Sequence, residues 1–167
     1  MHLNTLEDVI RFLCGRDTDD TTLDARKGRA PDWSDLQWVL RKARPSASYP
    51  TSPIPCRHCG LTASTATTSS SNINGNAGRP YFRCPTMGKF LVFADARGND
   101  PTNPVCRCGL SSKRMMSGFY NAKTPGKLFY VCRSGMCEYY RECRDARGEH
   151  VVVDWELVDH LAWLEII

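Results

Sequence analysis

The fold of this chain is decided by one stretch, Gly126-Lys127-Leu128-Phe129-Tyr130-Val131-Cys132-Arg133-Ser134-Gly135-Met136-Cys137. Aromatic and β-branched residues precede Cys132, and such residues favour short antiparallel strands. Another cysteine pair, Cys106 and Cys108, lies upstream, with Cys108 placed 24 residues before Cys132. Two close cysteine pairs joined by a loop suit a tetrahedral metal site, because a turn holds each pair and the metal links two distant segments.

Nine cysteines are more than chance supplies in 167 residues. The start of the chain carries Glu7 and Asp8 and lacks a basic region, so we expect no secretory signal. Clustered cysteines in such a chain indicate metal rather than disulfides, and a unit of about fifty residues needs a cross-link to fold. Zn²⁺ suits four thiolates with no open position. The predicted ligands are Cys106, Cys108, Cys132 and Cys137, with Cys143 as a replacement for Cys137 on the same segment.

The chain contains two copies of this unit, 48 to 50 residues apart. Three blocks recur in the same order, which is difficult to obtain by chance and indicates an internal repeat. The matched blocks are residues 56–61 and 106–110, 78–84 and 126–132, and 95–98 and 145–148.

The first copy has three of the four expected metal ligands, Cys56, Cys59 and Cys84. The place of Cys137 falls near Met87, where no cysteine or histidine stands. A fourth ligand could come from elsewhere in the chain. Alternatively, the copy is degenerate and held by its aromatic residues, Tyr81, Phe82, Phe90 and Phe93. The candidate fourth ligands are His58, Cys14, Cys143, His150 and His160.

Helical periodicity appears only outside the repeat. It predicts a helix over Thr5–Cys14, a second from Asp32 or Ser34 to Arg44, and a third from about Asp154 to Ile167. Residues 62–76 are rich in Ser, Thr and Asn and are predicted to be mobile. We therefore predict an α+β fold with two small zinc-finger-like antiparallel β units flanked by helices. The segments are an N-terminal helical segment at 1–45, the first unit at 53–100, the second at 101–148, and an acidic C-terminal helix at 149–167.

Charge is unevenly distributed along the chain. Residues 1–54 are neutral, residues 55–148 hold fourteen Lys and Arg against five Asp and Glu, and residues 149–167 hold five acids and no base. A basic middle of net charge +9 favours polyanions such as nucleic acid. The apolar, acidic tail needs a partner surface, either another protein or the basic middle itself.

The order C-x-C-G, then G-R-x-[FY]-[FY]-x-C, then a cysteine with paired aromatics and an aspartate, resembles the GRF-type zinc finger over residues 53–148. The first copy keeps the Gly78-Arg79 pair, and the second has Lys127 in place of that arginine and Cys143 in place of a tryptophan. The resemblance implies a small crescent of antiparallel strands that binds single-stranded nucleic acid. The residues that carry it in the second copy are Cys106, Cys108, Gly109, Gly126, Lys127, Phe129, Tyr130, Cys132, Cys137, Tyr139, Tyr140 and Asp145.

Single-strand binding needs cations for phosphates and exposed aromatic faces for bases. The alternative is a zinc-stabilised protein-interaction module that docks a partner through the C-terminal helix. We expect no enzyme, since no metalloprotease, P-loop or nucleophile-elbow motif is present, and no membrane span. An intracellular location, including the nucleus, fits this interpretation. The candidate nucleic-acid-binding residues are Arg79, Tyr81, Arg83, Lys127, Phe129, Tyr130, Tyr139 and Tyr140.

Overall fold

A computed structural model describes residues 1–14, 46–120 and 122–167, apart from the side chains of Leu6 and Cys14. The predicted helix ending at Arg44 lies outside the described residues. The elements in chain order are β1 (His2–Leu3), α1 (Leu6–Cys14), β2 (Ser64–Thr67), β3 (Pro80–Arg83), β4 (Phe90–Phe93), β5 (Lys113–Met116), β6 (Leu128–Val131), β7 (Tyr140–Glu142), β8 (Val152–Val153), a 3₁₀ turn (Trp155–Leu157) and α2 (Val158–Trp163).

Each copy of the repeat forms a three-stranded antiparallel meander. Strands β2, β3 and β4 make the first sheet, and β5, β6 and β7 make the second. Matching positions pair alike, since Arg83 lies opposite Phe90 in the first sheet and Val131 lies opposite Tyr140 in the second. The predicted α+β class with two antiparallel units is confirmed.

The two ends of the chain build one core on the second sheet. Strand β1 pairs with β8 in parallel, and α1 begins where Thr5 and Asp8 exchange hydrogen bonds that satisfy its first amides. The apolar face of α1 then packs against β6 and the tail. The buried members of this core include Leu3, Val9, Ile10, Leu13, Leu128, Tyr130, Val151, Val153, Leu157, Val158, Leu161, Leu164, Ile166 and Ile167.

The C-terminal segment differs from the predicted helix over residues 154–167. Its regular helix covers only Val158–Trp163, and residues 149–167 also contain β8 and a 3₁₀ turn. Most of the tail's aliphatic residues are buried within this chain, whereas Trp155 is 69% exposed and Trp163 is 49% exposed. Deleting the tail would remove part of the core. The effect of the tail's negative charge on the basic middle is therefore tested by substituting exposed acids of the tail, such as Glu156 and Asp159.

The predicted mobility of residues 62–76 is wrong. Ser64–Thr67 is β2, which pairs along its whole length with β3. Further along, the Asn74 side chain accepts a hydrogen bond from the Phe119 amide, and Gly75 lies against Val158 of α2. Composition suggested a solvated loop, but pairing with a sheet and contact with a helix fix this segment.

A buried polar junction joins the two units. The ammonium of Lys113 on β5 reaches the first unit, where it donates to the Asp95 backbone oxygen at 2.7 Å and to its carboxylate at 3.0 Å. The Arg114 amide donates to the Gly98 oxygen at 2.8 Å. A separate contact joins the units beside their cysteine clusters, where the Arg57 side chain of the first unit donates to the Gly135 backbone oxygen of the second unit at 2.7 Å. The units are therefore held in a fixed arrangement by contacts between residues far apart in sequence.

We expect Gly98→Ala to destabilise the protein more than Gly148→Ala does. Both glycines close the same Asp-Ala-Arg-Gly block with positive φ, at 75° and 79°, so an alanine is strained at each. At Gly98 a Cβ would lie 2.1 Å from the Arg114 backbone oxygen, whereas at Gly148 it would meet nothing within 4 Å. Overpacking adds about 1–3 kcal/mol at Gly98 alone. Urea unfolding of the two variants measures the difference, and equal losses would show that the junction does not hold Gly98.

Candidate metal centres and nucleic-acid interface

A knuckle of the same design presents the first cysteines in each unit. The Cys56 amide donates to the Leu61 oxygen and the Cys106 amide to the Leu110 oxygen, both at 2.8 Å. Gly60 and Gly109 close these turns at φ of 75°, a conformation that glycine adopts without strain. The turn keeps the two thiols on the same side of the backbone, where both can bind one metal ion.

The second unit gathers four thiols. The sulfurs of Cys106, Cys108, Cys132 and Cys137 all lie within 4.8 Å of one another. Cys132 Sγ is 3.9 Å from Cys106 Sγ and 3.8 Å from Cys108 Sγ. Four sulfurs at ~2.3 Å from a tetrahedral Zn²⁺ would be separated by about 3.8 Å. The donor set therefore fits zinc in both chemistry and spacing, and a bound ion would supply a structural cross-link.

The first unit gathers three thiols. The sulfurs of Cys56, Cys59 and Cys84 lie within 4.8 Å of one another, and the Cys59–Cys84 separation is 3.7 Å. These three residues also fit zinc. Among the His, Cys, Asp and Glu side chains that the structure describes, none supplies a fourth ligand atom to this cluster.

Hydrogen bonds prepare one thiol in each cluster to ionise. Burial raises the pKa of Cys132, but hydrogen bonds from Ser134 and Cys137 outweigh it and lower that pKa to about 6. The Thr86 hydroxyl lowers the pKa of Cys59 to about 7. Burial raises the pKa of Cys84 and of Cys106. Because zinc binds thiolates, its uptake releases protons, and its affinity falls as the pH falls.

Cys143 is not a ligand in this structure, which corrects its prediction as a replacement for Cys137. Its side chain is buried in the core of the second unit, and its sulfur lies 3.3 Å from the Tyr130 hydroxyl. Burial raises its pKa. A buried thiol with a raised pKa is inert.

Several predicted nucleic-acid contacts are engaged inside the protein. Arg79 is buried, donates two hydrogen bonds to Asp95 at 2.6 and 2.9 Å, and lies 3.8 Å from the Phe93 ring centroid. Lys127 is paired with Glu142. Tyr130 is buried, and Tyr139 packs against the same core. These residues support the units, because a phosphate could reach them only by breaking those contacts.

The remaining predicted aromatics form two equivalent pairs on the sheets. Tyr81 and Phe90 have ring centroids 5.7 Å apart at 34°, and Phe129 and Tyr140 have centroids 5.4 Å apart at 31°. Phe90 is 41% exposed and Tyr140 is 59% exposed. We name these the first and second aromatic pairs. Phe90 was not among the predicted contacts, although its repeat position, opposite the residue before the third cysteine, could have identified it.

Six exposed cations form no ion pair among the residues that the structure describes. Arg83 and Lys89 flank the first pair along β3 and β4, and Arg141 follows Tyr140 on β7. The Lys113 and Arg114 side chains, by contrast, are buried. The unpaired cations are Arg83, Lys89, Arg107, Lys123, Arg141 and Arg147.

Comparison with known proteins finds a similarity over the first unit. Residues 53–97 match the family model described as a GRF-like zinc ribbon domain. A crystal structure of the tandem zinc-finger GRF domains of human NEIL3 is similar at 24% identity, covering 56% of this chain and 99% of that chain. Its TM-score is 0.22, so the two backbones as wholes do not superpose closely. No curated protein matches the chain. Within the described residues, no helix is long and apolar enough to cross a membrane.

Proposed function

We propose that this zinc-binding chain, whose residues 53–97 match a GRF-like zinc ribbon, binds single-stranded nucleic acid through its two aromatic pairs. The observation that carries the proposal is that the same pair recurs on both sheets with almost the same distance and tilt. Packing alone does not require this, since one ring of each pair is exposed. Exposed aromatic faces stack on unpaired bases, and every base offers a face.

The charge around the first pair supports the same proposal. Arg83 lies opposite Ser64 and Phe90 in the sheet, and Lys89 directly precedes Phe90. Both cations are exposed, so they can meet phosphates while a base stacks on the ring. Contacts of this kind read the backbone and carry little sequence preference.

Arg79 acts on the same surface from beneath. Its guanidinium donates to the Asp95 carboxylate and lies over the Phe93 ring. The ring centroids of Phe93 and Phe90 are 4.9 Å apart. We infer that Arg79 positions the first pair and does not itself bind phosphate. A substitution there would act on binding through the fold.

We expect Phe90→Ala and Tyr140→Ala each to weaken single-strand binding. The missing stacking is worth about 1–3 kcal/mol per base, so the dissociation constant should rise about 5- to 150-fold. Fluorescence anisotropy with labelled single-stranded and duplex oligonucleotides measures this at two salt concentrations. Affinity should fall steeply with salt, and Arg83→Gln should reduce the salt slope by ~0.7 for each phosphate that the arginine neutralises.

Tyr120→Ala is the matched control for these variants. Tyr120 is 69% exposed but lies outside both sheets. Its removal should leave the affinity unchanged if stacking is confined to the aromatic pairs. Equal effects from all three variants, or no binding by the zinc-loaded protein at low salt, would contradict the proposal.

A further inference from the structure

We propose that the metal ion of the first cluster keeps one coordination position that no side chain of the described residues fills, and that this position binds an exogenous thiolate. The second cluster offers four sulfurs and the first offers three. Zinc needs four ligands, so a three-cysteine site needs a fourth donor that the described residues do not supply. The proposal concerns metal ligation and stands independently of nucleic-acid binding.

The missing ligand follows from the length of one hairpin. Between the third cysteine and the exposed ring of each pair, the second unit has two more residues than the first, and Cys137 lies in that longer connection. In the first unit the Cys84 amide donates to the Lys89 oxygen, and the Gly88 amide to the Cys84 oxygen, so the turn is closed at once. The Met87 amide lies 3.4 Å from Cys84 Sγ. The backbone thus fits around the cluster, but no ligating side chain stands where Cys137 stands in the second unit.

None of the other predicted fourth ligands that the structure describes joins the cluster, and the Cys14 side chain lies outside the described residues. His58 is adjacent in sequence to Cys59 but does not join the cluster. Cys143 is buried beside Tyr130 in the opposite unit, and His150 lies 3.6 Å from Glu142. The side of the cluster nearest the turn is open to solvent, because Thr86 and Met87 are exposed and Cys59 is half-buried.

The chemistry of the site favours a thiolate. Three thiolates already neutralise Zn²⁺ and leave it a weak Lewis acid, so a bound water is easily displaced by a soft donor. An incoming thiol would bind through sulfur and lose its proton to solvent, which gives the four-sulfur set of the second cluster. Arg83 and Lys89 are exposed and flank the turn, and they offset the added negative charge. The thiolate can come from a small thiol or from a cysteine of a second copy of this chain.

Cobalt substitution of the full chain tests the proposal. The protein is reduced with a phosphine, loaded with Co²⁺ at both sites, and followed by its thiolate-to-cobalt charge-transfer absorption, which grows with the number of bound sulfurs. Before any thiol is added, the band should have the intensity of seven thiolates of the chain. Adding a small thiol such as 2-mercaptoethanol should raise that intensity by about one seventh. A rise with the mass of a monomer assigns the position to small thiols. Full intensity without added thiol, together with the mass of a dimer, assigns it to a second copy.

Two cysteine substitutions provide the matched comparison. Met87 is 47% exposed beside the three-thiol cluster, and Met136 is 44% exposed beside the four-thiol cluster. Met87→Cys should supply the missing ligand, so that the band starts one seventh higher and no longer responds to thiol. Met136→Cys should leave both the starting band and its response as in the unmodified chain.

Three results would overturn the proposal. One is a single cobalt ion per chain, which would mean that the first cluster binds no metal. Another is a charge-transfer band with the intensity of eight sulfurs in the monomeric chain, together with a weaker band in the Cys14→Ser variant. That result would make Cys14 the fourth ligand. The third is a response to thiol that appears only in Met87→Ala, which would make the Met87 thioether the fourth ligand. None of these results depends on whether oligonucleotides bind.

Discussion

Cys132→Ser is expected to release one zinc ion per chain and to unfold the second unit with the core built on it. Cys132 Sγ lies within 3.9 Å of the Cys106 and Cys108 sulfurs, so the substitution removes a central ligand. Structural zinc sites bind with apparent free energies of about 10–16 kcal/mol, which is comparable to the whole stability of a small domain. Loss of the metal site should also destabilise the core, because Leu128 and Tyr130 on β6 pack in the core of the second unit. Elemental analysis and circular dichroism measure the two effects.

Cys143→Ser is the control for this prediction. Cys143 is also buried in the second unit, but its sulfur contacts Tyr130 and not the cluster. The variant should keep its zinc and lose only packing energy. The first cluster is intact in both variants, so any zinc it holds should remain. A Cys132→Ser protein with its full zinc content and a cooperative unfolding transition would show that the site is misassigned.

Asp95→Asn is expected to destabilise the protein by about 3–5 kcal/mol, because it leaves two buried cations without a counter-ion. Asp95 accepts hydrogen bonds from Arg79 at 2.6 and 2.9 Å and from Lys113 at 3.0 Å. Lys113 is fully buried and Arg79 is nearly so. Asparagine keeps the shape of the side chain, removes its charge and replaces one of the two accepting oxygens by an amide group that can only donate. Urea unfolding at pH 6 measures the destabilisation.

The pH dependence of that destabilisation identifies its cause. Burial raises the pKa of Asp95, but the hydrogen bond from Arg79 and the charge of Lys113 outweigh it and lower the pKa below its ordinary value. The contribution of Asp95 is therefore present above about pH 4 and is lost as the pH falls through the folded pKa. Burial lowers the pKa of Lys113 to about 8, despite the charge of Asp95. Without Asp95 this pKa should fall further, so Lys113 becomes neutral earlier and the destabilisation should be smaller at pH 9 than at pH 6.

Asp145→Asn is the matched control, since Asp145 occupies the same position in the second copy. Its carboxylate accepts hydrogen bonds from the Arg147 and Glu149 amides and faces only the amino terminus, at 3.5 Å. The described residues place no buried Lys or Arg side chain against it. We expect a smaller destabilisation at pH 6 than Asp95→Asn causes. Equal effects from the two variants would mean that the junction charges are not what Asp95 stabilises.

The metal clusters could be predicted from sequence because their geometry is local. Each knuckle is closed by a hydrogen bond within six residues, and β3 and β6 both end at the residue before a cysteine. The repeat then brings the same pieces together twice, so spacing alone grouped Cys106 with Cys132 and Cys56 with Cys84. The missing fourth ligand of the first copy was visible in the same way, as a shorter hairpin.

The roles of the charged and aromatic residues depended on contacts that sequence does not reveal. Arg79 and Lys127 occupy one repeat position, yet Arg79 is paired with Asp95 and Lys127 with Glu142. Tyr130 and Phe129 are neighbours on β6, and alternation along the strand buries the first and leaves the second beside Tyr140. The face that is buried was set by α1 and the tail, which lie more than a hundred residues apart.

Sequence by itself therefore determined the two units, the cysteines of each cluster and the basic middle of the chain, because spacing, turns and charge are properties of short segments. Tertiary structure decided which of the described cations remain exposed and unpaired, which rings remain exposed, and where the acidic tail lies. The physical reason is that units of about fifty residues have little core of their own. Their buried positions are completed by distant segments, with Lys113 reaching Asp95 and the tail covering Leu128.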